Sequence, residues 1–351
     1  MGKVNIIGKW NIDKNKWNTT PEEKDCGKSF SYATYDTIIN DENNDDINYI
    51  IIANGTRLEQ HTKNKININD KELLINYVIN KLKKENENYE IITIFMDSDA
   101  PLIEEAKLFS TFIDTLSIQE RTASINIISV SKCGTMSLYT PSFFQNEESF
   151  QKTSIHNIAV PYKGTKFASP FIIFNELKSL LNAKLGNNEL SKKSYLKLLK
   201  IYKEICSNSH MDYDIAQPGG IPAESHHKYD KNYIKNIFSK ENIEAIKRIQ
   251  LFKNYTTQID EKTFIEALLS LNIKGIGLCF ADELLFHGKS DGLTSLHSQK
   301  TVEKVLDIKS EHLKSAHHDV TSIPKVYDKI LDEITSSIQN TKQKKNIRQL
   351  I

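Results

Sequence analysis

The sequence predicts an α/β protein: a mostly parallel central sheet with helices on both faces and a helical cap inserted between two parts of the core. Three observations predict it. Short, strongly apolar runs recur at 49–53 (YIIIA), 90–96 (EIITIFM), 125–130 (INIISV) and 156–160 (HNIAV). Segments with apolar residues at helical spacing separate the first three of them. Runs that are apolar at every position fit strands buried on both faces, as a parallel sheet requires. The size is adequate, since 351 residues with 39% hydrophobic and 26% charged side chains bury a core easily.

From the N-terminus, the first forty-odd residues mix aromatic and polar residues and read as short strands. Residues 40–48 (NDENNDDIN) read as an exposed acidic turn. The strand at 49–53 ends in Asn54-Gly55-Thr56. Residues 70–85 carry Leu73, Leu74, Tyr77, Val78 and Leu82 at helical spacing, with Asp70 as N-cap. After the strand at 90–96, Asp99-Ala100-Pro101 opens a second helix with Leu102, Ala106, Phe109 and Phe112 on one stripe. The third strand, 125–130, stops at Ser131-Lys132-Cys133-Gly134. Residues 171–270 then read as helical segments, among them NIEAIKRIQLF, around a QPGGIP loop. Residues 273–287 return to strand character, a helix follows at about 324–338, and KQKKNIRQL reads as a solvated basic tail. The organisation is therefore 1–170 as the first part of the core, 171–270 as cap, and 271–351 as the second part of the core.

Lys plus Arg is 46 and Asp plus Glu 45, a net charge of +1, so no electrostatic case arises for a nucleic-acid partner. Cys26, Cys133, Cys206 and Cys279 are far apart with no CxxC pair, which fits a reducing compartment. No run reaches the roughly 20 apolar residues of a membrane helix, and the N-terminus lacks a signal-peptide core. The expectation is a cytoplasmic protein, or one exported without a cleavable signal, whose membrane contact is at most peripheral. The histidines show no metal-ligand spacing, so neither metal nor cofactor is expected.

The chemistry concentrates at 125–138 (INIISVSKCGTMSL). Ser131 follows an apolar strand directly, with small residues Ser129 and Cys133 two positions to either side and Gly134 next. A tight strand-to-helix turn that exposes a nucleophile crowds the residues two before and two after it, so small side chains there are a steric requirement. Such a turn places a hydroxyl at a helix N-terminus, where backbone N–H groups can hold an oxyanion. Taken alone, the same residues also describe a strand end with a capping serine. Cys133 is a second nucleophile candidate, because a thiol is intrinsically reactive; as a structural residue it would be buried.

This segment resembles the nucleophile elbow of the α/β-hydrolase superfamily, in its lipase and esterase branch, whose usual motif is Gly-x-Ser-x-Gly-Gly. Here it reads Ser129-Val130-Ser131-Lys132-Cys133-Gly134, with both outer glycines of the five-residue core replaced. Residues 159–168 (AVPYKGTKFA) resemble the segment after the next strand in many lipases. Asn54-Gly55-Thr56 is similar to the oxyanion loop, with Asn54 in place of the usual His. Residues 286–298 (FHGKSDGLTSLHS) resemble the acid loop and implicate Asp291, with Asp282 as fallback. Residues 316–326 (AHHDVTSIPKV) resemble the histidine loop and implicate His317, with His318 as the alternative.

The resemblance implies a triad in the chain order Ser131, Asp291, His317, and an oxyanion hole from the N–H groups of Lys132 and of Thr56 or Gly55. It implies a serine hydrolase cleaving carboxylic esters of small acyl or lipid-like substrates through an acyl-enzyme. The alternatives are a phospholipase or acyltransferase with the same triad, including one acting as an exported effector, and an inactive scaffold used for binding. The apolar-striped helices of the insert would form a lid over the elbow.

Overall fold

The computed structural model describes residues 5–11, 16–19, 31–35, 37–53, 68–95, 102–164, 237–259, 290–291, 294–315, 320 and 324–349. Their strands are β1 (Asn5–Asn11), β2 (Lys16–Thr19), β3 (Ser31–Tyr35), β4 (Ile47–Ala53), β5 (Asn88–Phe95), β6 (Thr122–Val130), β7 (Thr153–Ile158), β8 (Leu251–Gln258) and β9 (Glu311–Lys314). The helices are α1 (Ile68–Leu82), α2 (Leu102–Ser117), α3 (Lys132–Tyr139), α4 (Glu147–Lys152), α5 (Lys240–Arg248), α6 (Leu296–Gln299), α7 (Thr301–Leu306) and α8 (Pro324–Gln349).

The nine strands form one sheet in the order β2-β1-β3-β5-β4-β6-β7-β8-β9. From β5 to β9 every neighbouring pair is parallel, whereas β3 runs antiparallel to β5 and β2 antiparallel to β1. The chain starts this parallel block at β4, crosses through α1 to β5, then returns past β4 through α2 to β6. Parallel crossovers are right-handed, so reversing direction puts the two helices on opposite faces. The two apolar clusters agree. Ile51, Ile127 and Ile155 pack with Phe109 of α2, Met136 of α3 and Ile246 of α5. Ile50, Ile52 and Ile128 pack on the other face with Leu74 and Val78 of α1 and Tyr327, Ile330 and Ile334 of α8. Successive isoleucines of β4 thus point to opposite cores, which is why the strand is apolar throughout.

The expected elements fall close to the observed ones, with informative departures. Leu102, Ala106, Phe109 and Phe112 are all buried, as the stripe of α2 requires. Asp70 lies in the first turn of α1 rather than ahead of it. The helical reading of NIEAIKRIQLF ends at Arg248, and Leu251 begins β8, so this stretch of the expected cap is a core strand. Buried polar residues Asn254, Thr256 and Thr257 hid β8 from a search for apolar runs. The basic tail continues α8 as far as Gln349. The rest of the cap, 171–236 and 260–270, the strand character at 273–287 and Asp282 lie outside the described residues. Among the described residues no helix is long and apolar enough to cross a membrane.

Candidate active site

Ser131 joins β6 to α3 with φ 55° and ψ −124°, a left-sided conformation costly for a residue with a side chain. Its N–H donates to the Ile158 carbonyl of the next strand at 3.0 Å, and its own carbonyl accepts from Gly134 N–H at 3.0 Å. Those bonds hold the backbone where it would not rest alone. From 124 to 141 every residue is buried except Ser131. Ser129 and Cys133 are fully enclosed, Cys133 within the core that α3 shares with α2. Gly134 packs so tightly that a β-carbon would lie 2.1 Å from Val160 Cγ2. Lys132, the first residue of α3, is 1% exposed.

β7 ends in the same manner. Ala159 has φ 55°, and its N–H donates to the Tyr255 carbonyl at 3.0 Å. The chain then makes a tight turn in which Tyr162 N–H donates to Val160 O and Gly164 N–H to Pro161 O.

Asp291 sits at the same edge of the sheet, beyond the end of β8. Ile259 N–H donates to the Ser290 carbonyl at 3.0 Å, so the chain leaves β8 and returns beside the point of departure. Asp291 is fully buried, and among the described residues Thr294, Thr257 and Gln299 donate to its carboxylate. Thr294 N–H reaches Oδ1 at 2.8 Å, while the Thr257 hydroxyl reaches Oδ2 at 2.6 Å and Gln299 Nε2 reaches it at 3.2 Å. Ser131 and Asp291 are thus separated by two strand spacings, on the order of 10 Å.

These two are the residues of the sequence-based constellation that the described structure brings to one edge. β9 also runs toward that edge, pairing Lys314 with Gln258 of β8, and the buried Ser315 follows. His317, His318, Gly55 and Thr56 lie outside the described residues. Sequence reasoning missed Thr257, Ser298 and Gln299, which bind the acid loop to β8 and to the turn after β7. Ser298 Oγ accepts from Lys163 N–H at 2.9 Å and donates to the Gly164 carbonyl at 3.0 Å. The available signal was polar residues inside core strands, Asn157 in β7 and Asn254 and Thr257 in β8.

On the opposite face, between β7, β8 and α8, lies a separate buried group. His156 is fully enclosed, its Nδ1 lies 3.3 Å from the Tyr255 hydroxyl, and that hydroxyl donates to Glu333 at 2.7 Å. Burial, together with the nearby Lys253 charge, pushes the His156 pKa down to about 3. Its Nε2 has no hydrogen-bond partner among the described residues.

Among the described residues a mostly parallel sheet is covered by helices on both faces, and a strained serine lies in the turn between β6 and a buried helix: an α/β fold with a strand–turn–helix arrangement that projects a side chain from the sheet edge. No family model and no curated protein matches the chain. Among solved structures it is similar to a Bacillus licheniformis lipase in its mature form (TM-score 0.43, 11% identity, covering 87% of this chain and 97% of that one). It is also similar to the Staphylococcus hyicus lipase (TM-score 0.40, 12% identity, 87% and 100% covered). A carboxylesterase structure from Nitrososphaera gargenis is similar with a TM-score of 0.42 and 14% identity, covering 90% and 97% of the two chains.

Proposed function

We propose that this protein is a serine hydrolase that cleaves carboxylic esters, with Ser131 as nucleophile. The observation that carries the reading is Ser131 itself: strained at φ 55° and the one accessible residue in a run that is buried on both sides. Strain of about 1–3 kcal/mol persists where the surroundings impose it, and here it accompanies a partly accessible serine directly ahead of helix α3. Full burial of Cys133 favours the hydroxyl over the thiol.

In this reading His317 takes the Ser131 proton as the oxygen attacks the ester carbonyl, then returns it to the leaving alcohol. Asp291, held by donors from Thr294, Thr257 and Gln299, orients the imidazole and stabilises its cation. The Lys132 amide, at the start of α3, and an amide of Gly55 or Thr56 hold the oxyanion, each donor contributing ~10²–10³ in rate. The substrate is a small-molecule ester with an acyl or lipid-like group.

A fluorophosphonate probe tests the nucleophile: wild type is labelled and Ser131→Ala is not. Asp291→Ala and His317→Ala each lower hydrolysis of p-nitrophenyl esters by about 10³–10⁴-fold. Labelling that survives in Ser131→Ala but vanishes on iodoacetamide treatment transfers the role to Cys133. A wild type that neither labels nor hydrolyses any ester of an acyl-length panel leaves a binding scaffold.

A further inference from the structure

Beneath the sheet edge a continuous chain of buried hydrogen bonds runs from the helix that follows Ser131 to the carboxylate of Asp291. Asn157 Nδ2 donates to the Gly134 carbonyl at 2.9 Å and to the Tyr162 hydroxyl at 3.1 Å. The Tyr162 hydroxyl in turn donates to Asn254 Oδ1 at 2.8 Å. Asn254 Nδ2 donates to the Gln299 carbonyl at 3.1 Å, and Gln299 Nε2 donates to Asp291 Oδ2 at 3.2 Å. Asn157, Tyr162, Gln299 and Asp291 have no exposed surface, and Asn254 has 1%.

Gln299 is the junction. Its Oε1 accepts the Thr257 N–H at 2.7 Å, and the two protons of its Nε2 are shared among Asp291 Oδ2, the Thr257 carbonyl at 3.0 Å and the Thr294 carbonyl at 3.2 Å. The amide thus pairs with β8 as a further strand residue would, and in doing so brings a donor to the acid. Its backbone is held by Asn254, so it cannot turn away without breaking a buried bond, and each broken bond costs ~1–3 kcal/mol.

We propose that Gln299 is a positioning residue for the Asp291 carboxylate: it occupies Oδ2, together with Thr257, and so fixes the direction in which Asp291 faces the catalytic imidazole. This rests on the triad reading above. A group that holds a carboxylate by hydrogen bonds favours its ionised form and sets its orientation, both of which decide how well it stabilises an imidazolium.

The test is a cycle on the full chain, read as kcat/KM for a p-nitrophenyl ester at temperatures where each variant is folded. Gln299→Met lowers kcat about tenfold with KM within twofold. In an Asp291→Ala background the same change costs nothing further, because Gln299 acts only through that carboxylate. Gln299→Glu, nearly identical in shape, places a second carboxyl against the first and moves the acid limb of the pH–rate profile up by at least one unit. Thr257→Val repeats the cycle from the other donor to Oδ2.

Equal losses in both backgrounds, or a profile that falls evenly at all pH values in Gln299→Glu, overturn the proposal while leaving the triad intact. Wild-type activity in Asp291→Ala overturns it together with the assignment of the acid. Absence of both hydrolysis and Ser131 labelling in wild type removes the enzymatic reading and this proposal with it.

Discussion

Gly134 lies directly beneath Val160, where a β-carbon would come within 2.1 Å of the valine Cγ2. Helix α3 and the turn after β7 therefore touch at a position with space for a hydrogen and nothing larger. Gly134→Ala forces α3 away from the sheet and costs about 1–3 kcal/mol in urea unfolding. Adding Val160→Ala removes the colliding methyl and recovers most of the loss. If Gly134→Ala unfolds at the wild-type urea concentration, the contact is looser than described.

Strain at Ser131 has a measurable sign. Glycine adopts φ 55° without a β-carbon penalty, whereas alanine retains it. Both Ser131→Gly and Ser131→Ala lose the hydroxyl, but the glycine variant melts higher, by about 1 kcal/mol of stability relative to alanine. Differential scanning calorimetry of the pair checks this, and a more stable alanine variant would contradict the backbone geometry.

Ser129 replaces a glycine of the usual motif and buries a hydroxyl with no partner among the described residues. Removing that orphan leaves a methyl-sized group in an apolar setting. Ser129→Ala is expected to stabilise the fold by about 1 kcal/mol. Chemical denaturation reads the difference, and a destabilised variant would mean the hydroxyl is satisfied.

His156 makes stability depend on pH. Its folded pKa of about 3 lies below the ordinary value of 6.5, so above pH 6.5 the group is neutral in both states and contributes no slope. Between 6.5 and 3 the unfolded chain takes up a proton that the folded chain refuses, so stability falls with pH, by about 2 kcal/mol at pH 5. His156→Gln removes this dependence. Urea midpoints of wild type and variant from pH 7.5 to 5 test it, and parallel slopes would refute it.

Much of the fold was legible because β4, β5 and β6 are buried on both faces and so consist of isoleucine runs. β8 was not, because the Tyr162 and Gln299 side chains make a polar environment in which Asn254 and Thr257 are the right residues. A strand whose neighbours are hydrogen-bonding side chains has no hydrophobic signature. Ser131 and Asp291 were singled out from local motifs, each a matter of a few consecutive residues. Gln299 was invisible for the opposite reason, since its partners come from β8 and from residues 291 and 294 and no short window contains them.

Ile259 and Ser290 share a hydrogen bond, so the thirty intervening positions begin and end at one point. That bond anchors the residue before Asp291 directly on the end of β8, so the carboxylate takes its place from the strand next to it and not through the intervening sequence. Because closure entropy rises only logarithmically with length, joining two points across thirty positions costs little more than joining them across about fifteen.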